Sequence, residues 1–131
     1  MFKTPQVVLF SRDVERAAAF YKSAGFDEVF RTPAEGTPIH VDLMLDGYRL
    51  GLASEQSTRR DHGLDPVVVG QRAAVILWTD DTAQACARLQ ELGARPVKGP
   101  SPWLDRLLIA WVEDPDGHLI QVVQDVRTTS D

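Results

Sequence analysis

His40 and Asp42 are the two residues of this chain best placed to do chemistry together. They stand two positions apart in Ile39–Leu45, where apolar and polar residues alternate. That alternation predicts a strand with His40, Asp42 and Met44 on one face. A histidine beside a carboxylate changes charge near neutral pH and can pass a proton to a ligand. Two same-face neighbours can equally hydrogen-bond each other and position a ligand, and that second role is the one favoured here. Asp46-Gly47 is a strong two-residue hairpin signal. Pairing across it sets Met44 opposite Arg49, Asp42 opposite Gly51 and His40 opposite Ala53, so Arg49 joins the same face.

Other reactive side chains carry less. Cys86 is the single cysteine, which excludes an internal disulfide and a cysteine-rich zinc site. It lies among alanines in Ala83–Ala87 with nothing nearby to lower its pKa, which predicts a small buried helix residue rather than a nucleophile. Asp114-Pro115-Asp116-Gly117 is turn chemistry, because proline fixes φ and glycine accepts a positive one. His62 falls in a polar stretch and His118 beside the turn, both at the surface.

The elements that position these residues occur twice, about 68 positions apart. Gln6–Asp13 aligns with Ala74–Asp81, each an apolar run ending at an acidic helix start. In the first copy, Gln6–Phe10 predicts a strand and Ser11 or Asp13 a helix cap. Val14, Ala17, Ala18 and Tyr21 give one apolar helical face, and Gly25 stops the helix. Strands at Asp27–Arg31, Ile39–Leu45 and Tyr48–Ala53 complete it. In the second copy, a strand at Ala74–Trp78 leads to a helix at about Asp81–Leu92. Strands follow at Arg95–Lys98, Arg106–Val112 and His118–Gln124. Gly99–Trp103 reads as a loop and Arg127–Asp131 as a fraying tail. The modules are 1–54 and 73–126, joined by a linker at 55–72, in one domain spanning 1–131.

A chain of 131 residues with 44% hydrophobic and 25% charged content is ordinary for a globular protein. Its net charge of −5 argues against nucleic-acid binding, which draws on basic patches, and is compatible with a cationic ligand. No signal-peptide pattern and no long apolar run is visible, so the expected compartment is the cytoplasm, with no membrane partner.

Val8–Asp13, Ala19-Phe20-Tyr21, Gly25-Phe26 and Glu113–Ile120 resemble the vicinal oxygen chelate superfamily, which includes glyoxalase I, extradiol dioxygenases, and fosfomycin- and bleomycin-resistance proteins. The resemblance covers roughly residues 6–125. It implies an α+β fold in which two βαβββ modules form curved mixed sheets around a concave cavity, in a homodimer. In the metal-using members of that superfamily four side chains from the first and fourth strands of the modules hold the ion, whereas the resemblance here is to the metal-free, bleomycin-resistance-type binding proteins. The matching positions here are Gln6, Gly51, Ala74 and Gln121. His or Glu is expected at most of them, although some glyoxalases tolerate Gln at the first. Two residues without a donor atom and two neutral amides are a poor cage for a divalent ion, so no metal and no other cofactor is expected.

Strand parity then selects the ligand-facing residues. Gln6, Phe10, His40, Asp42, Met44 and Arg49 come from the first module, and Trp78 and Gln121 from the second. Trp103 closes over the ligand from its loop. Leu108, Ala110, Val112, Leu119 and Val123 are assigned to the same side, and Val7, Leu9, Val75, Leu77, Trp111 and Ile120 to the side under the helices. Aromatic walls with a few polar groups suit a small aromatic or cationic molecule. The expected function is metal-independent binding and sequestration, possibly of an antibiotic, with no catalytic residue. The alternative is an enzyme working through His40 and Asp42 or through an unconventional metal site.

Overall fold

Short apolar runs that alternate with capped helices fold here into two sheets, two helices accompanying the first and one the second. The computed structural model describes residues 1, 3–66 and 73–129. Backbone packing divides the chain into two compact units, Met1–Val69 and Gly70–Asp131.

The first unit holds β1 (Val7–Ser11), α1 (Val14–Ser23), β2 (Asp27–Thr32), β3 (His40–Leu45), β4 (Tyr48–Ser54) and α2 (Glu55–His62). Its sheet has the order β1-β4-β3-β2, with β1 parallel to β4 and the other pairs antiparallel. The helix start is built from two side chains. Asp13 caps α1 by accepting from Arg16 N–H at 3.1 Å, while Ser11 Oγ accepts from Asp13 N–H at 3.0 Å. Asp46 and Gly47 both take positive φ, 51° and 82°, as a tight hairpin turn of this twist requires. The resulting register sets His40 opposite Ala53, Asp42 opposite Gly51 and Met44 opposite Arg49, as the sequence predicts. Val41, Leu43, Leu50 and Leu52 are buried on the α1 side, leaving the His40–Asp42 face turned away from the helix.

The second unit repeats this with β5 (Ala74–Trp78), α3 (Thr82–Glu91), β6 (Arg95–Trp103), β7 (Leu107–Glu113) and β8 (Leu119–Asp125). The sheet order is β5-β8-β7-β6. Its cap is the counterpart of the first: Asp81 accepts from Gln84 N–H at 3.0 Å and Thr79 Oγ1 from Asp81 N–H at 3.2 Å. Thr82 fixes α3 to the sheet, donating through its N–H to Gln124 Oε1 and through its hydroxyl to the Leu108 carbonyl, each at 2.9 Å. Two mixed four-stranded sheets with helices thus make an α+β fold.

Four features differ from the sequence reading. The stretch read as a linker begins with α2, capped by Ser54, whose Oγ accepts from Ser57 N–H at 3.1 Å, and stopped by Gly63 in the left-handed region. Residues 67–72 of that stretch lie outside the described residues. The stretch Gly99–Trp103 is strand rather than loop: β6 runs to Trp103, with register shifts after Pro96 and Lys98 that accommodate its prolines. The tail forms a 3₁₀ turn at Val126–Thr129, anchored where Arg127 N–H donates to Asp125 Oδ1 at 3.0 Å.

The fourth difference concerns which way β7 faces. Glu113 pairs with Leu119 and Trp111 with Gln121, so the connection holds five residues. Trp111, Ile109 and Leu107 therefore share the face of Gln121, while Leu108, Ala110 and Val112 lie on the α3 side. A change of one residue in the connection reverses every side chain of a strand. The turn itself is held by Asp114, whose Oδ1 accepts from the N–H groups of Asp116 and His118, both at 2.9 Å. That is the structural role the sequence assigns to this motif.

Candidate functional site

The polar centre of the first unit is the carboxylate of Asp42, only 7% exposed. A buried carboxylate needs donors, because desolvating an unpaired one is costly. Asp42 Oδ1 has two: Gln6 Nε2 donates at 2.6 Å, and His40 Nε2 lies at 2.7 Å. Gln6 reaches it from the segment preceding β1, and His40 from two residues along the same strand. Asp42 Oδ2 faces Arg49 Nη1 at 3.7 Å, an ion pair too long for a hydrogen bond. Among the described residues, no buried side-chain oxygen or nitrogen lacks a partner, so Oδ2 is not sealed from solvent. One carboxylate oxygen thus carries two hydrogen bonds, and the other faces Arg49 without one.

Gly51 makes this arrangement possible. It sits on β4 directly opposite Asp42 and beside Val8 of β1. A Cβ there would lie 2.7 Å from Gln6 Nε2 and 3.0 Å from both Asp42 Oδ1 and Val8 Cγ2. The space a side chain would fill is taken by the Gln6–Asp42 bond.

The walls are apolar. Val8 pairs with Gly51 and Phe10 with Ala53, and Met44 lies next along β3, half-buried. Phe30 is not among the residues that strand parity predicts for this face. It pairs with Asp42 across β2 and β3, is 48% exposed, and meets the His40 ring edge-on at 6.2 Å between centroids. A register irregularity between Glu28 and Phe30 sets which face it takes, and simple alternation along β2 does not reveal that. Gln6, Phe10, His40, Asp42, Met44 and Arg49 therefore do gather on one face, with Phe30 and Gly51 added.

In the second unit, Ile76 pairs with Gln121 and Trp78 with Val123, so Trp78 and Gln121 share a face. Trp103 pairs with Leu107 and Lys98 with Trp111, which brings both tryptophans to the same side. Trp78 and Trp103 are 64% and 56% exposed. Trp111 packs on the buried cluster of Leu107, Ile109 and Val123. Trp103 stands at the end of a paired strand and not on a separate loop. The matching registers make Gly51 the counterpart of Gln121 and Asp42 the counterpart of Trp111. The carboxylate centre is therefore not repeated in the second unit.

The residues fit a metal poorly. The first unit supplies Gln6, already spent on Asp42, and Gly51, which has no donor. The second supplies Ala74, also without one, and the neutral amide of Gln121. Among the described residues, no group of three or more His, Cys, Asp or Glu could hold an ion.

Comparison with known proteins agrees with this fold. The sequence model of the Glyoxalase/Bleomycin resistance protein/Dioxygenase superfamily matches residues 3–122, and the chain belongs to that superfamily. It is 30% identical over 122 residues to the lactoylglutathione lyase of Salmonella typhimurium, covering 86% of this chain and 84% of that one. Among solved structures it resembles a hypothetical protein from S. aureus, with a TM-score of 0.80 and 20% identity over 95% of this chain and 94% of that chain. A glyoxalase/bleomycin resistance protein/dioxygenase family enzyme from Burkholderia phytofirmans gives a TM-score of 0.78 and 18% identity, covering 92% and 96%. At these identities the structural likenesses speak for the fold alone. Among the described residues, no helix is long and apolar enough to cross a membrane.

Proposed function

We propose that the protein binds a small molecule without a metal, on the face of the first unit centred on Asp42. The supporting observation is the division of labour within that carboxylate. Oδ1 holds Gln6 and His40 in place, and Oδ2 accepts no hydrogen bond from the described residues. A ligand N–H would complete it, while Phe10, Phe30 and Met44 offer surfaces for a flat apolar body. This chemistry suits a planar aromatic molecule carrying an amine, amidine or similar donor, which includes antibiotics of the bleomycin type. The protein would act in the cytoplasm as a homodimer, lowering the free concentration of its ligand. Calorimetric titration with planar aromatic cations and bleomycin-type glycopeptides tests the reading. Binding weakened about tenfold or more by Asp42→Asn supports it, and no affinity tighter than about millimolar for any of them refutes it.

A second reading has its own support. His40 is oriented by Asp42, and among the described residues its Nδ1 has no partner, which suits a general base. The relatives that carry the name lactoylglutathione lyase add weight to an enzymatic role. Turnover of lactoylglutathione that is abolished by His40→Ala would select this reading.

A further inference from the structure

We propose that Gly51 is a positioning residue for His40. Its missing side chain lets Gln6 and His40 share one oxygen of Asp42, which holds His40 with its proton on Nε2 and a lone pair on Nδ1. The inference rests on the reading of this face as the binding face, but its test needs no ligand.

The argument starts from donors and acceptors. An ionised carboxylate only accepts. The nitrogen of His40 that lies 2.7 Å from Asp42 Oδ1 must then carry the proton, and in the neutral ring the other nitrogen carries the lone pair. Oδ1 is itself held by a second donor, Gln6 Nε2, at 2.6 Å. Without Gln6 the carboxylate could rotate and the imidazole would lose its anchor. Gln6 reaches Oδ1 through the volume that a Cβ at position 51 would enter, 2.7 Å from the amide nitrogen. That is closer than real side chains come. The neighbour that must yield most is the far end of a flexible, exposed side chain, so an alanine at 51 displaces Gln6, while Asp42 Oδ1 and Val8 Cγ2, each 3.0 Å from that Cβ, give by a few tenths of an ångström. The glycine thus acts on His40 through the Gln6–Asp42 and Asp42–His40 hydrogen bonds.

The second unit shows that the sheet does not demand glycine here. The register counterpart of Gly51 is Gln121, on the equivalent strand beside Ile76, where Val8 stands in the first unit. There the counterpart of Asp42 is Trp111, with no carboxylate to seat. Glycine therefore goes with the Gln6–Asp42–His40 arrangement and not with the strand.

The test is NMR of the ligand-free, full-length chain with labelled histidine. In the wild type, with the ring neutral, the nitrogen shifts are expected to show a protonated Nε2 and an unprotonated Nδ1. The ring proton should exchange slowly with water. Gly51→Ala is expected to speed that exchange about tenfold or more, while backbone amide exchange at Leu43 and Leu52 stays unchanged. In a Gln6→Ala background the same substitution should have less effect, because the tightest contact it creates is with Gln6, and what remains reports the 3.0 Å approach to Asp42 Oδ1. A proton on Nδ1 in the wild type, exchange unaltered by Gly51→Ala, or an equal effect with and without Gln6 would each overturn the proposal. Failure to bind any drug would refute the binding function and leave these readouts unaffected.

Discussion

Truncating Asp42 should cost stability in graded steps, with Asp42→Asn losing less than Asp42→Ala. The carboxylate accepts two short hydrogen bonds on one oxygen, from Gln6 at 2.6 Å and His40 at 2.7 Å. Hydrogen bonds to a charged group contribute about 1.5–3 kcal/mol each when fully buried. Neither donor is fully buried: Gln6 is exposed and the His40 side chain is 29% exposed. Water therefore replaces part of each lost bond. A net of about 1 kcal/mol per bond gives roughly 2 kcal/mol for Asp42→Ala. Asparagine keeps one acceptor oxygen for Gln6 and His40 but loses the charge and turns the other oxygen into an amide donor, so about half of that loss, ~1 kcal/mol, is expected. Desolvation of the native carboxylate opposes both figures, but Oδ2 retains access to solvent and Arg49 lies 3.7 Å away, which limits that cost. Urea unfolding followed by circular dichroism should show midpoints falling in the order wild type, Asn, Ala at constant slope. An Asp42→Asn protein as stable as the wild type or more so, with Asp42→Ala within about 0.5 kcal/mol of it, would refute the reasoning, because desolvation would then outweigh the hydrogen bonds.

Three further outcomes follow from other parts of the molecule. Glu28 lies beside Arg31 and Lys22, and chiefly its hydrogen bonds to Arg31 hold its carboxyl at about 2 instead of 4.5. Its contribution is then fully present above pH 4.5 and lost as pH falls towards 2, so the stability gap between wild type and Glu28→Gln should shrink over that window in urea titrations. A gap independent of pH would contradict this. Burial pushes the Cys86 thiol upward, so native protein should react with a thiol reagent at least about tenfold more slowly than protein in urea; equal rates would place Cys86 at the surface. Asp81→Ala removes the acceptor for Gln84 N–H and should cost about 1 kcal/mol in the same unfolding assay, whereas no change would mean that the cap contributes nothing.

How much of this was legible in the sequence depends on how tightly each connection is specified. Asp46-Gly47 permits one tight turn, and with it the register of β3 on β4 and the shared face of His40, Asp42, Met44 and Arg49 were fixed. The connection from Glu113 to Leu119 is longer, and its length is set by Asp114 taking two backbone N–H groups. Composition marks that stretch as a turn without counting its residues, so alternation alone puts Trp111 on one face and Leu108, Ala110 and Val112 on the other, the reverse of what the register gives. The irregularity in β2 hid Phe30 in the same way. Helix α2 lacks an apolar period, yet Ser54 and Gly63 bracket it as cap and stop, a signal the polar composition obscured. The second half of β6, Gly99–Trp103, carries Pro100 and Pro102 and reads as loop, although a strand at the edge of its sheet tolerates prolines that an interior one would not. The role of Gly51 was visible only as a missing ligand; that its empty volume is filled by Gln6 required coordinates.

The most direct test of a metal-independent site built on Asp42 is native mass spectrometry of the protein as isolated, followed by addition of a planar aromatic cation and then a chelator. The account predicts a polypeptide mass without stoichiometric divalent metal, and a one-to-one adduct that survives the chelator and is lost in Asp42→Asn. One equivalent of tightly held metal per chain that disappears in His40→Ala would contradict it.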